Sequence, residues 1–112
     1  MPHLRFRGLT RDTVKQVSKT LVDTLSPLAG SPKEHFTLEF IPAEFVQQGH
    51  VVNGYPFVEV LWFERPLEVQ DQVAAAITEA LRARVGEGLD IGVVFTRLEG
   101  RNYYENGSHF GG

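Results

Sequence analysis

The chain of 112 residues contains no cysteine and carries a formal net charge of only −3 at pH 7. Because there is no thiol, disulfides, thiolate zinc sites and cysteine nucleophiles are excluded. Proteins that coat nucleic acid are strongly basic, so we expect no nucleic-acid partner here. The four histidines lack the spacing that is typical of metal ligands, and we therefore expect no metal.

Long apolar runs are missing as well. The longest is FVEVLWF at residues 57–63, which Glu59 interrupts and which is far too short to cross a membrane. Arg5 and Arg7 lie within the opening residues, and no apolar segment of the kind found in a signal peptide follows them. We therefore expect a cytoplasmic location and no membrane partner.

The sequence does contain two consecutive copies of a strand–helix–strand pattern. Alternating apolar residues predict strands over 3–8, 35–41, 57–63 and 90–98. Apolar spacings of three and four predict one helix that begins at Thr10 or Asp12 and a second that begins at Pro66. The length predicts one domain, 1–112, with pseudo-repeats at about 2–42 and 56–98 and a tail at 99–112.

Two β-α-β units with right-handed crossovers predict the architecture. We expect a two-layer α/β (α+β) sandwich in which a four-stranded mixed sheet carries both helices on one face. Asn53-Gly54 predicts a turn within a long connection at 42–56. Asn106-Gly107 predicts the turn of a short hairpin in the C-terminal tail.

The predicted strand at 57–63 is apolar on both faces. Its apolar residues alternate between two sets, which are Val58, Val60 and Trp62 on one side and Phe57, Leu61 and Phe63 on the other. One layer of helices covers only one of these sets, whereas strands of this composition are normally covered on both faces. An uncovered apolar face marks an interface. We therefore expect a homo-oligomer in which the sheets pack against each other.

Pro2 directly follows the initiator methionine. If Met1 is removed, Pro2 carries a secondary amine, and free α-amino groups have pKa values of roughly 7.7–8.0. Burial would lower this pKa towards neutrality, where a base is useful for taking a proton from a carbon next to a carbonyl. If Met1 stays, the same nitrogen is an amide without basicity. The structural alternative is that Pro2 merely begins a strand, where its missing N–H costs little.

An opening proline, two β-α-β units, this chain length and an expected oligomer together resemble the tautomerase superfamily. That group includes 4-oxalocrotonate tautomerase and macrophage migration inhibitory factor. The tail NYYENGSHFG (102–111) is similar to the inhibitory factor's ending, N-x-G-W-N-N-S-T-F-A, and TRD (10–12) is similar in place to the Gly-Arg-Ser that opens the first helix of the tautomerase. The opening MPHLRFR and the segment EVLWF also resemble an uncharacterised bacterial branch of this superfamily.

The resemblance implies a trimer, with a cofactor-independent active site near each N-terminal proline at a subunit boundary. Pro2 would be the general base that moves a proton between carbon and oxygen of a small keto/enol carboxylic acid. Arg11 would match the arginine that steers the substrate's carboxylate, and Arg5 and Lys33 are further candidates for this anchor.

Two aromatic residues of the tail, Tyr103 and Phe110, would lie on the pocket wall, because they align with wall positions in the inhibitory factor. Arg5 also has a structural alternative, which is an ion pair across the sheet with Glu39 or Glu59.

Several positions depart from the family pattern. The second-strand arginine of 4-oxalocrotonate tautomerase falls near Thr37, and the lysine of the inhibitory factor's Gly-Lys-Pro falls on Ser31. The inhibitory factor's fourth-strand tyrosine and asparagine fall near Gly92 and Val94. These departures imply a more apolar pocket and a different substrate.

Three alternatives stay open at this point. The chain could be a catalytically inactive trimeric binding or structural protein that kept the fold. Its proline could act as an acid, in hydration or dehalogenation. It could also be a ferredoxin-like domain that binds a small molecule, although the strand that is apolar on both faces and the tail hairpin argue against this.

Overall fold

The computed structural model describes residues 1–111. Its elements are β1 (His3–Arg7), α1 (Arg11–Ala29), β2 (Thr37–Phe40), β3 (Phe45–Gln47), β4 (His50–Val52), β5 (Phe57–Phe63), α2 (Leu67–Val85), β6 (Gly92–Leu98), β7 (Tyr104–Glu105) and β8 (Ser108–His109). Short 3₁₀ turns lie at Lys33–His35 and Gly100–Asn102. The first of these turns delays β2, which was predicted to begin at residue 35.

The main sheet has four strands in the order β2-β1-β5-β6. Strand β1 runs parallel to β2, β5 runs parallel to β6, and the two parallel pairs meet antiparallel between β1 and β5. Each β-α-β unit therefore supplies one parallel pair. The predicted mixed sheet with its two helices and short C-terminal hairpin is confirmed.

Both helices begin and end for local reasons. The Thr10 side chain caps α1 by accepting a hydrogen bond from the main-chain N–H of Thr13 at 3.1 Å, so Thr10 rather than Asp12 begins this helix. Gly30 ends α1 with a left-handed φ of 67°, and Gly86 ends α2 with φ 79°. Neither helix of the described chain is long and apolar enough to cross a membrane.

The core lies between one face of the sheet and the two helices. Its fully or nearly fully buried apolar residues are Leu4, Phe6, Val14, Val17, Leu21, Leu25, Ala29, Val58, Val60, Trp62, Val73, Ile77 and Leu81. The helix residues in this core are the apolar ones spaced three and four apart, and burying them requires both helices to lie on this face. On the opposite face of β5, Phe57, Leu61 and Phe63 are only partly buried, as expected of a face that no helix covers.

The connection at 42–56 was predicted without strands, and this prediction is wrong. It contains the antiparallel hairpin β3–β4, whose turn is made by Gln48 and Gly49 with φ values of 50° and 80°. Asn53-Gly54 lies beyond this hairpin, and Gly54 instead lets the ring of Phe45 pack closely, since a Cβ there would lie 2.1 Å from that ring. The pair Gln48-Gly49 is an unusual sequence for a turn that needs positive φ at both positions.

Candidate functional site

Pro2 lies at the buried start of β1. Its side chain is less than 2% exposed, and its carbonyl accepts a hydrogen bond from the main-chain N–H of Thr37 at 3.0 Å. Strand β1 pairs with β5 so that His3 is opposite Leu61. Continuing this register by one residue puts Pro2 beside Trp62, at the end of the core. Removal of Met1 would therefore leave a secondary amine in mostly apolar surroundings.

The N-terminal amine occupies an environment that disfavours positive charge. Burial lowers the pKa of the Met1 amine below its usual 8.0, and the positive charge of Arg65 lowers it further. The negative charge of Glu105, in the tail hairpin, acts in the opposite direction and is the weakest of the three influences. The pKa of the Met1 amine is thus shifted in the direction that favours its neutral, basic form.

Arg65 connects the end of β5 to the end of α1. Its Nε donates to the carbonyl of Ala29 at 2.9 Å, and its Nη1 donates to the carbonyl of Phe63 at 3.0 Å. Its Nη2 donates to the hydroxyl of Ser31 at 3.0 Å, and the guanidinium lies 5.6 Å from the centre of the Trp62 ring. All of these partners are uncharged. Within residues 1–111, no carboxylate forms an ion pair with Arg65.

The sequence pattern does not single out Arg65, although the structure places it at Ser31. That serine occupies the position where the inhibitory factor's Gly-Lys-Pro lysine falls. A guanidinium from the connection between β5 and α2 therefore lies where the resemblance would put an ammonium from the end of the first helix. Because 34 residues separate Arg65 from Ser31, only the tertiary structure brings them together. The sequence feature that could have pointed to Arg65 is its position directly before Pro66, just after the strand β5 that pairs with β1.

A cleft of about 730 Å³ adjoins Arg65. Its lining residues are Trp62, Glu64, Arg65, Pro66, Leu67, Gln70, Phe95 and Arg97. The rings of Trp62 and Phe95 stack with their centres 5.0 Å apart. Arg97 forms ion pairs with Glu64 and, at 3.7 Å, with Glu99, whereas Arg65 has only neutral partners. The cleft thus combines an aromatic wall with one cation that forms no ion pair among residues 1–111.

Two of the predicted anchors are already paired with acids on their own chain. Arg5 lies on the face opposite the helices, where its Nε is 3.1 Å from Glu39 and its Nη1 is 3.5 Å from Glu59. Lys33 lies 2.8 Å from Asp23, and its hydrogen bond lowers the pKa of that carboxyl. Arg5 therefore follows its structural alternative in this chain, and both cations already have a carboxylate partner.

Arg11 lies at the other end of β1 from Pro2. Its guanidinium is 5.5 Å from the centre of the Phe40 ring, and Phe40 pairs with Phe6. Four residues of strand separate Phe6 from Pro2, a distance of about 13 Å. Arg11 therefore does not join Pro2 within one chain.

The tail brings Tyr103 and Phe110 together over Phe63. The ring centres lie 5.5 Å apart for Phe63 and Tyr103, 5.9 Å for Phe63 and Phe110, and 5.1 Å for Tyr103 and Phe110. Continuing the β1–β5 register two residues beyond His3 and Leu61 puts Met1 beside Phe63. These two predicted wall residues therefore lie next to the N-terminus. Among residues 1–111, no cluster of histidine and acidic side chains could hold a metal ion.

Comparison with known families and structures agrees with this geometry. Residues 1–109 match the family model of the Domain of unknown function (DUF1904). The chain belongs to the DUF1904 family. A DUF1904 crystal structure from Sebaldella termitidis is 36% identical, with the match covering 98% of this chain and 100% of that one at a TM-score of 0.91. A Vibrio cholerae protein of unknown function is 40% identical over 97% of this chain and 87% of that one, with a TM-score of 0.86.

The fold extends beyond the DUF1904 family. A structure of wild-type fused 4-OT, an asymmetric trimer, matches with a TM-score of 0.79 and 15% identity, over 96% of this chain and 94% of that one. This DUF1904 protein therefore has the tautomerase-superfamily fold, as the sequence resemblance implied. No curated protein sequence matches the chain.

Proposed function

We propose that this DUF1904 protein is a cofactor-independent, tautomerase-like enzyme that acts on a small keto/enol carboxylic acid. Pro2 is its general base once Met1 has been removed. The observation that carries this proposal is the setting of the Met1 amine, one residue from the Pro2 nitrogen: it is partly buried and close to a guanidinium that no carboxylate of residues 1–111 pairs with. Both influences favour the neutral amine that proton abstraction requires.

The proposed reaction moves one proton and leaves the oxidation state unchanged. The neutral Pro2 nitrogen takes a proton from the carbon next to the ketone, and the electron pair of the broken C–H bond moves onto the carbonyl oxygen. The resulting secondary ammonium then returns the proton to that oxygen, which completes the enol. A nearby cation stabilises the negative charge that develops on the oxygen.

We also propose that the protein acts as a homo-oligomer, most simply a trimer, as in the fused 4-OT structure of similar fold. The sheet face that carries Phe57 and Leu61 lacks a helical layer and would pack against other copies. Arg11, which lies at the far end of β1 from Pro2 in its own chain, would reach the Pro2 of a neighbouring copy. Tyr103 and Phe110 would line the pocket near the N-terminus.

The second candidate function is a trimeric binding protein without catalysis. The observation that favours it is the pairing of Arg5 with two acids, together with the lack of a hydrogen-bonding side chain at Gly92 and Val94. In such a protein Met1 would remain and Pro2 would serve only to begin β1.

Solvent-deuterium exchange at carbon 3 of 2-oxopentanoate, followed by proton NMR, tests the proposal with untagged protein. We expect enzyme-dependent exchange, and we expect a leucine inserted between Met1 and Pro2 to abolish it because the Pro2 nitrogen becomes an amide. General base catalysis of this kind contributes about a hundredfold or more. Arg84→Gln, an exposed change on α2, is the control for one lost charge. Exchange that persists at the wild-type rate in the insertion variant would contradict the proposal.

A further inference from the structure

We propose that Arg65 binds the substrate's carboxylate, and that the adjoining cleft selects a monocarboxylate whose remaining part is apolar. This inference rests on the proposed function for its choice of an oxo acid. It replaces Arg11, Arg5 and Lys33 as the first-choice anchor, because within one chain none of these three combines a free charge with a place beside Pro2.

The hydrogen bonds of Arg65 hold the guanidinium in place without neutralising it. Nε donates to Ala29, and the two N–H groups of Nη1 are accounted for by the carbonyls of Phe63 at 3.0 Å and Glu64 at 3.1 Å. One N–H of Nη2 donates to Ser31. Of the five N–H groups of a guanidinium, one on Nη2 is left to donate to a ligand.

Ser31 holds the guanidinium of Arg65 from the side of α1. Its side chain is more than nine-tenths buried, and its hydroxyl accepts the hydrogen bond from Arg65. By accepting from one N–H of Nη2, Ser31 fixes the orientation of the guanidinium, whose remaining N–H and positive charge are what a carboxylate in the cleft would meet. Ser31 is thus a positioning residue.

The other charges of the cleft oppose a second carboxylate. Arg97 is the only further cation in the lining, and Glu64 and Glu99 both pair with it. Glu64 itself lines the cleft, so a second carboxylate there would face a like charge. A dicarboxylate is therefore disfavoured.

Apart from Gln70, the remaining lining residues are apolar. Trp62 and Phe95 stack against each other, and Pro66 and Leu67 complete this part of the lining. Trp62 is already buried, so a chain of a few carbons attached to the oxo acid would remove mainly the exposed parts of Phe95 and Leu67 from water. One charged end at Arg65 and one apolar end at the aromatic wall together define the substrate class.

Three five-carbon probes separate these features. They are 2-oxopentanoate with one carboxylate, 2-oxoglutarate with two and 2-pentanone with none. Trp62 is the only tryptophan of the chain, so its fluorescence reports binding directly. We expect 2-oxopentanoate to bind about tenfold or more tightly than 2-pentanone, as a charge-assisted hydrogen bond implies, and about fivefold or more tightly than 2-oxoglutarate.

Substitutions then assign the anchor. Arg65→Gln should remove the preference for the acid over the ketone, whereas the distant Arg84→Gln should leave it within about twofold. If Arg97→Gln removes the preference and Arg65→Gln does not, Arg97 is the anchor and the inference is overturned. Equal binding of the acid and the ketone by the wild-type protein would overturn it as well.

Two measurements keep the test independent of folding and of catalysis. Arg65→Lys retains the charge and should keep most of the preference, and in the wild-type protein the Nε–Hε NMR signal of Arg65 should shift with 2-oxopentanoate but not with 2-pentanone. An Arg65 signal that does not shift when the protein is saturated with 2-oxopentanoate would refute the assignment.

Because neither readout needs turnover, binding through Arg65 without proton exchange would refute only the proposed function. Proton exchange with unchanged acid binding in Arg65→Gln would refute only this inference.

Discussion

Replacing Arg5 with methionine tests whether this residue is an ion-pair partner or a substrate anchor. Arg5 lies between two acids on neighbouring strands, 3.1 Å from Glu39 and 3.5 Å from Glu59. The Arg5 side chain is 42% exposed, that of Glu39 is 55% exposed and that of Glu59 is 23% exposed. Methionine keeps most of the aliphatic part of the side chain, so the change removes mainly the charge.

Exposed ion pairs contribute about 0.2–1 kcal/mol each, and the less exposed pair with Glu59 belongs near the top of this range. The two acids left behind belong to strands on either side of β1, and because both contact one guanidinium their carboxylates lie within about one Debye length of each other in physiological salt. Their mutual repulsion is therefore only partly screened and adds to the loss. We expect Arg5→Met to lower the free energy of unfolding by about 1–2 kcal/mol.

Urea denaturation at a fixed protein concentration measures this loss, because an oligomer's stability depends on concentration. A double-mutant cycle with Glu59→Gln should return a coupling of about 0.5–1 kcal/mol, which high salt reduces. Binding of 2-oxopentanoate should change by less than about twofold. Unchanged stability together with a tenfold loss of acid binding would refute this reasoning and restore Arg5 as an anchor.

Three further predictions concern the backbone, the N-terminal amine and the tail. Gly8→Ala should lower the free energy of unfolding by at least about 2 kcal/mol, because Gly8 has φ 75° and a Cβ there would lie 2.0 Å from a main-chain oxygen; an unchanged urea midpoint would contradict this. Arg65→Gln should raise the pKa of the N-terminal amine and Glu105→Gln should lower it, as NMR titration can show; shifts of the same sign would refute the assigned influences. The pKa of this amine is lower in the folded state than its unfolded value of 8.0, so the folded state binds fewer protons between these two pKa values. The free energy of unfolding should therefore increase as the pH rises from the folded pKa to the unfolded one. Phe110→Ala should cost about 1–2 kcal/mol, since a half-exposed ring loses its contacts with Phe63 and a second aromatic ring; a loss below 0.5 kcal/mol would show, to about that precision, that the tail does not stabilise the chain.

Features that depend on neighbouring residues in the chain were predictable from the sequence. The Thr10 cap, the alternating faces of β5 and the Asn106-Gly107 turn each arise from a few consecutive residues with a clear preference. The order of strands and helices followed from these local patterns, and the mixed sheet followed from the two β-α-β units.

Features that depend on distant residues were not predictable. The β3–β4 hairpin has its turn at Gln48-Gly49, where glutamine adopts an unusual positive φ, while the stronger turn signal at Asn53-Gly54 lies outside it. Arg65 looks like an ordinary arginine in a loop, and its importance comes from contacts with α1 more than thirty residues away. Lys33 carries a charge in the expected region, but Asp23 on the preceding helix already pairs with it.

The most direct test of the central claim is a pH titration of the nitrogen-15 signal of Pro2 in untagged protein. This one signal reports both the chemical state of the nitrogen and its basicity. The account predicts a secondary amine that titrates with a pKa below the roughly 7.7–8.0 of a free α-amino group. An amide signal that does not titrate would show that Met1 remains, and an amine with an ordinary pKa would show that Pro2 is not prepared to act as a base. Either result would contradict the claim and favour a binding protein with the tautomerase fold.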